Sequence, residues 1–438
     1  MIKIRSMVKK CEGTNMKKMN FKHTLFACYI GYITQAIVVN FMPILFIVFN
    51  ETYKVSLTNL GTLVLINFVT QITVDIIAAR IIDRIGFRHA AVPAHILCAA
   101  GLVMLGILPS FMSNTYLALV ISVIVYAVGG GLIEVVISPV VDGLPSKDNS
   151  AAMSLLHSFY CWGQLAVVLI TTLVIKIFGY DVWQILSVVW AIVPIVNIFL
   201  FSKVPLPETC EEARVPIKQL LRESGFVIGL ILMLGAGAAE QTMAQWVSLF
   251  AQKGLGVSKV LGDLLGPCMF ALCMALGRMW YGIKGEKLDL KKALLGCSGL
   301  CILCYLVTVF SPNPLISLVS CALTGFSVSL MWPGTLSYNA ACFPNGGAAL
   351  FGVMALFGDI GCSVGPWLAG LVSDNVQNIN KAVEFAQNAG LSSEQLGLKA
   401  GILMGIVFPI VMLLGLSCLK TEKIKRKIKK QLTNNMPV

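Results

Sequence analysis

The sequence predicts an all-α polytopic membrane protein: twelve transmembrane helices in two pseudo-symmetric six-helix bundles. Three observations carry this. The chain is 57% hydrophobic and only 12% charged, against roughly a quarter charged in soluble domains. Its apolar residues come in unbroken runs of about 20, long enough to cross a bilayer as helices. The runs do not alternate as strands of a spanning barrel would.

The twelve runs cover about residues 22–48, 58–80, 90–109, 115–140, 152–176, 181–202, 225–250, 257–281, 292–311, 314–337, 347–372 and 398–418. A basic arm, residues 1–21, precedes the first, and the absence of an Ala-x-Ala-like cleavage site after it predicts an uncleaved first helix. Residues 22–202 form the first bundle, 203–224 a hydrophilic inter-bundle linker with Pro205, Pro207 and Pro216, and 225–418 the second bundle. Residues 419–438 are a basic tail.

The net charge is +12. With both termini placed inside, only Lys54, Lys176, Lys253, Lys259, Lys381 and Lys399 of the 33 Lys and Arg fall outside. That is the positive-inside pattern. It predicts cytoplasmic termini, lipid as the partner of the basic tail and no nucleic-acid partner. Short loops and the uncleaved first helix suit a bacterial inner (plasma) membrane, and the chain is expected to be a monomer. The 14 cysteines include Cys297, Cys301 and Cys304, whose spacing resembles a metal site on paper. They lie inside a span without nearby His or acid, so they are read as packing residues and no metal is expected.

The two halves repeat weakly. Val55-Ser-Leu-Thr-Asn-Leu-Gly61 opens span two and Val257-Ser-Lys-Val-Leu-Gly262 opens span eight. Ile137-Ser-Pro139 in span four matches Met331-Trp-Pro333 in span ten, and Gly163 in span five matches Gly361 in span eleven. A parallel repeat of six-helix units is one way transporters are built.

The loop between spans two and three reads Ala79-Arg-Ile-Ile-Asp83-Arg84-Ile-Gly86-Phe-Arg88. Gly86 permits a tight turn, and Asp83 can cap a helix or accept hydrogen bonds from a facing bundle. Arg84 and Arg88 are able to reach acids across it. This stretch resembles the inner-loop signature of the major facilitator superfamily, Gly-x-x-x-Asp-Arg-x-Gly-Arg-Arg, with Ala79 and Phe87 departing from it. Gly277-Arg278-x-x-x-Gly282 is a reduced second copy. The resemblance implies the superfamily's twelve-helix fold and a gating role for Asp83, Arg84, Gly86, Arg88 and Arg278. Several details are similar to the fucose-permease-type sugar–proton symporters: Glu134 in span four, Gly-Ala-Ala-Glu240-Gln241 with Trp246 in span seven, and Ser329-Leu-Met-Trp-Pro333 in span ten. Span one carries Gln35 and Asn40 where those permeases carry an acid.

Ionisable groups inside a span are costly and mark pathways. Glu134 stands alone in the apolar run from Tyr116 to Val141, behind Gly129, Gly130 and Gly131. A medium of low dielectric favours the neutral carboxylic acid, so Glu134 is the leading proton-coupling residue, with Glu240, His157 and Asp359 beside it. The alternative for Glu134 is a structural hydrogen bond to Gln71 or His157. Asn67, Gln71 and Asp75 share one face of span two at i, i+4, i+8; the first two are cavity candidates, and Asp75 is read as structural, pairing with Arg80 or an arginine across the interface. Tyr160 and Gln164 share a face with His157. Gln241 and Gln245 share another with Trp246 near the outer end, which suits either a pyranose face or the interfacial belt. Asn40, Trp332 and Asn339 complete the substrate-binding set.

No Gly-rich phosphate loop, hydrolase triad or metal spacing outside the bilayer is present in the sequence. The reading is therefore no enzyme and no cofactor, with a proton as the coupling ion. The chain is expected to be a secondary transporter of a small polar solute, a sugar by resemblance. The alternative is a multidrug or cation efflux antiporter of the same fold.

Overall fold

The computed structural model describes residues 20–144, 149–207, 220–284, 289–343 and 347–419. Among them are twelve helices long and apolar enough to span a membrane. We number them α1 (Phe21–Tyr53), α2 (Leu57–Ile85), α3 (Phe87–Phe111), α4 (Thr115–Asp142), α5 (Asn149–Phe178), α6 (Tyr180–Lys203), α7 (Ser224–Gly254), α8 (Lys259–Tyr281), α9 (Leu290–Phe310), α10 (Pro314–Cys342), α11 (Gly347–Gln377) and α12 (Ser393–Cys418). A short helix, Asn380–Asn388, lies between α11 and α12, in a stretch that the apolar runs alone do not mark as helical. Large apolar side chains such as Phe111, Ile177, Phe178, Phe199, Phe310 and Leu414 stay exposed, which suits helices whose outer faces meet lipid rather than water.

Packing repeats between the halves. In the first bundle α1 packs on α5, α2 on α4 and α3 on α4; in the second α7 packs on α11, α8 on α10 and α9 on α10. The bundles meet through α2 with α11 and α5 with α8, again a symmetric pair. The repeated glycines explain two of these contacts. A Cβ at Gly163 would lie 2.8 Å from that of Ala36 on α1, and one at Gly361 would overlap the Leu234 carbonyl of α7. Each glycine lets its helix approach its partner backbone closely.

We call the end bearing Asn20, Gly86 and Leu419 the near end. The far end, opposite, is shut by contacts between bundles. The Thr58 amide on α2 donates to Asp374 of α11 at 2.6 Å. Lys253 of α7 pairs with Glu51 of α1 at 2.8 Å. Gly61 packs against the backbone of Pro366 and Trp367, and Gly370 against the Leu57 carbonyl. Asp374, an acid at a helix end, thus caps a helix of the other bundle.

The arm 1–19, most of the linker (208–219) and the tail 420–438 lie outside the described residues, as do the side chains of Asp83 and Arg84.

Candidate functional site

Three carboxylates meet near the interface of the bundles. Asp75 comes from α2, Glu134 from α4 and Asp359 from α11, and one oxygen of each lies within 4.8 Å of the others. Asp359 is 5% exposed, and Asp75 Oδ1 is buried without a hydrogen-bond partner. None of the three forms an ion pair with a described residue. Gly131 makes room for this arrangement: a Cβ there would lie 3.1 Å from Asp75 Oδ1. The Trp332 indole packs on Gly358, the residue before Asp359.

A chain of amides leads into the cluster. Gln71 Nε2 donates to Asn67 Oδ1 at 3.0 Å, and Gln35 Nε2 donates to Gln71 Oε1 at 2.7 Å. The same Gln35 nitrogen reaches Glu134 Oε2 at 3.4 Å. The polar partner of Glu134 is therefore Gln35 on α1, which occupies the span that lacks an acid, rather than Gln71 or His157. Gln71 joins the network one step away.

Glu240 has a different environment. Arg278 Nη2 lies 3.3 Å from Glu240 Oε2, and the two side chains are 14% and 8% exposed. Arg278 therefore points into the second bundle toward α7 instead of standing at a loop as the reduced motif suggested. Gln241 Nε2 contacts Glu240 Oε1 at 3.3 Å, and Gln245 Nε2 donates to Gln241 Oε1 at 2.8 Å. Gln245 Nε2 also lies 3.4 Å from the Val39 carbonyl across the interface. Pro43, four residues on, has no N–H to occupy that carbonyl.

Tyr160 accepts from Asn40 Nδ2 at 3.1 Å, which ties α5 to α1. Gln164, one turn further along α5, is buried with Oε1 unpartnered, and so is Gln245 Oε1. These amide oxygens are free acceptors for hydroxyl donors. His157 is exposed and lies edge-on to Tyr32, with centroids 5.2 Å apart.

Two members of the expected binding set stand apart. Trp246 is 1% exposed, with Nε1 donating to the Pro366 carbonyl at 2.9 Å. It is a buried helix-packing residue, neither in an interfacial belt nor presenting its indole nitrogen to a cavity. Asn339 is buried against Gly229 with Nδ2 on the Thr335 carbonyl. Gly229 lies 11 residues before Glu240 on α7, about 16 Å along the helix. Asn339 packs α10 on α7 there, away from the acids and amides.

At the near end, Gly86 adopts φ +82°, a turn that a side chain would strain. Arg88 donates from Nη1 to the Phe201 carbonyl at 2.6 Å and from Nη2 to Val204 at 2.7 Å. It caps the C-terminus of α6 within its own bundle, where an acid of the other bundle was expected.

The model of the Major Facilitator Superfamily matches residues 25–376. The chain belongs to the Major Facilitator Superfamily. No curated protein sequence matches it. Solved structures similar to this superfamily member include a D-xylose–proton symporter, with TM-score 0.68 and 16% identity over 89% of this chain and 97% of the other. A bacterial homologue of the human lysosomal transporter Spinster, inward-facing and occupied, gives TM-score 0.70 and 14% identity over 92% and 97%. A single-site variant of the E. coli fucose–proton symporter FucP gives 0.60 and 13% over 91% and 98%. At these identities the likeness is one of fold.

Sequence reasoning missed two features of this transporter. Asp75, expected as a structural acid beside Arg80, faces two other carboxylates. Lys259 and Asp263 went unread, although two opposite charges four residues apart in a candidate span are a visible signal.

Proposed function

We propose that the chain is a secondary transporter that carries a small polar solute of the sugar class together with a proton, by alternating access. The observation that carries the coupling is the Asp75–Glu134–Asp359 cluster. Three full negative charges at this spacing, inside candidate spans and partly buried, repel strongly, and no described cation pairs with them. Such a group holds at least one proton or takes up a cation. Because it draws on both bundles, its occupancy would be felt by their relative position.

The solute class is supported by the amides. Gln164 and Gln245 offer buried, unpartnered oxygens; Tyr160 and Gln241 lie on the same helices, and Asn40 of α1 donates to Tyr160. Sugar–proton symporters among the structures of similar fold agree with this reading. The closed far end and the charge distribution support a state open toward the near end, with that end cytoplasmic and the protein in the inner membrane. Asp83 and Arg84 are retained as near-end gating residues and Gly86 as their turn; for Arg88 we propose support of α6.

The test is external pH in a weakly buffered, de-energised suspension of cells expressing the protein, with hexoses, pentoses and disaccharides added in turn. Alkalinisation with one sugar, abolished by Glu134→Gln while solute exchange persists, is the expected result. Retained uphill accumulation in Glu134→Gln would overturn the assignment of Glu134. Competition by lipophilic cations in place of sugars would move the reading to an efflux antiporter.

A further inference from the structure

Lys259 and Asp263 lie one turn apart at the start of α8, 7% and 0% exposed. Ion pairs so deep are tolerated only when every donor and acceptor is used. Here they are. Lys259 Nζ has three hydrogens and three partners: Asp263 at 2.9 Å, Ser248 Oγ at 2.6 Å and the Ile44 carbonyl at 2.8 Å. Asp263 Oδ1 accepts from Ser248 Oγ at 2.5 Å, and Oδ2 accepts from Thr172 Oγ1 at 2.8 Å.

Two of these partners belong to the other bundle. Ile44 ends the first segment of α1, where the helix breaks at Leu45 before resuming at Phe46. Thr172 lies on α5. Ser248, on α7, belongs with the ion pair itself. The surrounding backbone is irregular: π-helical turns at Phe250–Gly254 and Leu264–Cys268 flank the pair, a feature that collects at working sites. Phe46 and Trp246 close over the interface edge to face, centroids 5.5 Å apart.

We infer that Lys259 and Asp263 are the lock that holds the far end shut, grasping α1 through Ile44 and α5 through Thr172. The design is reversible. Lys259, Asp263 and Ser248 all move with the second bundle, so opening breaks only two of this cluster's hydrogen bonds and leaves neither charge unpaired. Water entering from the far side replaces Ile44 and Thr172 as partners.

This rests on the alternating-access reading but not on what is carried, so its test uses neither solute nor ion gradient. Spin labels attached through non-canonical amino acids at Ser113 and Pro312, in loops of opposite bundles at the far end, avoid the 14 cysteines. Electron–electron resonance between them then reports the closed population. Thr172→Val removes one cross-bundle bond and leaves the ion pair intact. It is expected to lower the ratio of short to long distances roughly tenfold, as loss of a hydrogen bond to a charged group implies. Lys259→Met/Asp263→Leu removes both charges together and is expected to do the same. Unchanged distance distributions in both variants, with each protein monodisperse, would overturn the lock and leave the pair as packing between α7 and α8.

Discussion

The molecule holds buried charge in two opposite ways. At the far end, Lys259 and Asp263 are matched in charge and every hydrogen bond is made. At the acid cluster, Asp75, Glu134 and Asp359 are three like groups with one long hydrogen bond between them and Gln35. Glu240 with Arg278 stands between these extremes, paired at 3.3 Å but with Arg278 Nε buried and unpartnered. A satisfied pair holds a conformation; an unsatisfied cluster is completed only by something from outside. The contrast separates residues that fix a state from residues that respond to a ligand.

The sharpest way to break this comparison is to unpair the far-end lock on one side. Lys259→Met leaves Asp263 buried and charged without its cation, with only the Ser248 and Thr172 hydroxyls as donors, and loss of one partner of a buried pair costs about 3–5 kcal/mol. The expected outcome is a large fall in the thermal unfolding midpoint in detergent, recovered in large part by adding Asp263→Leu. A small change in the single variant would mean that water already reaches Asp263. Next comes Arg278→Met, with a loss of about 3 kcal/mol, the low end of the same range, because this pair is longer and more exposed. Adding Glu240→Gln should restore stability. Failure of the rescue would show that Arg278 supports the fold through contacts other than Glu240.

Much of this architecture is legible in the chain. Span lengths follow from apolar runs and helical rise, and the matched Gly163 and Gly361 are found at two equivalent helix contacts. The candidate site is less legible, for a physical reason. Periodicity says which residues share a face of one helix but not which faces meet. Asn67, Gln71 and Asp75 are visible as a stripe, yet nothing local says that Asp75 faces Asp359 from the other bundle, nearly three hundred residues on. Trp246 has the composition of a binding residue and is instead consumed by the Pro366 carbonyl. Lys259 counts as a loop charge because it lies at a span boundary, and only the fold shows that the boundary is buried.

The acid cluster should respond with the opposite sign. Asp359→Asn removes one of three crowded carboxylates without changing shape and leaves fewer protons to be held, and is expected to raise stability by about 2 kcal/mol, since an unpaired buried acid is costly to keep. The same substitution should reduce uphill accumulation while exchange continues, read with a radiolabelled solute identified by the pH assay. A loss of stability would show that Asp359 has a compensating partner and that the cluster is structural.

The smallest effect belongs to Gln35. Its amide links Glu134 to Gln71 and Asn67, but the bond to Glu134 is 3.4 Å long and therefore weak. Gln35→Leu removes that link and the 2.7 Å bond to Gln71, leaving two acceptors without this donor; the expected loss is about 1 kcal/mol. If Gln35 only aligns the amides, the half-saturating solute concentration rises a few-fold and the number of protons moved per solute stays the same. If it belongs to the coupling group, the proton-to-solute ratio falls while apparent affinity holds. Simultaneous measurement of proton and solute flux in proteoliposomes separates the two outcomes. It thereby decides whether the unsatisfied region of this molecule is three carboxylates alone or three carboxylates and the amide that occupies the place of a fourth.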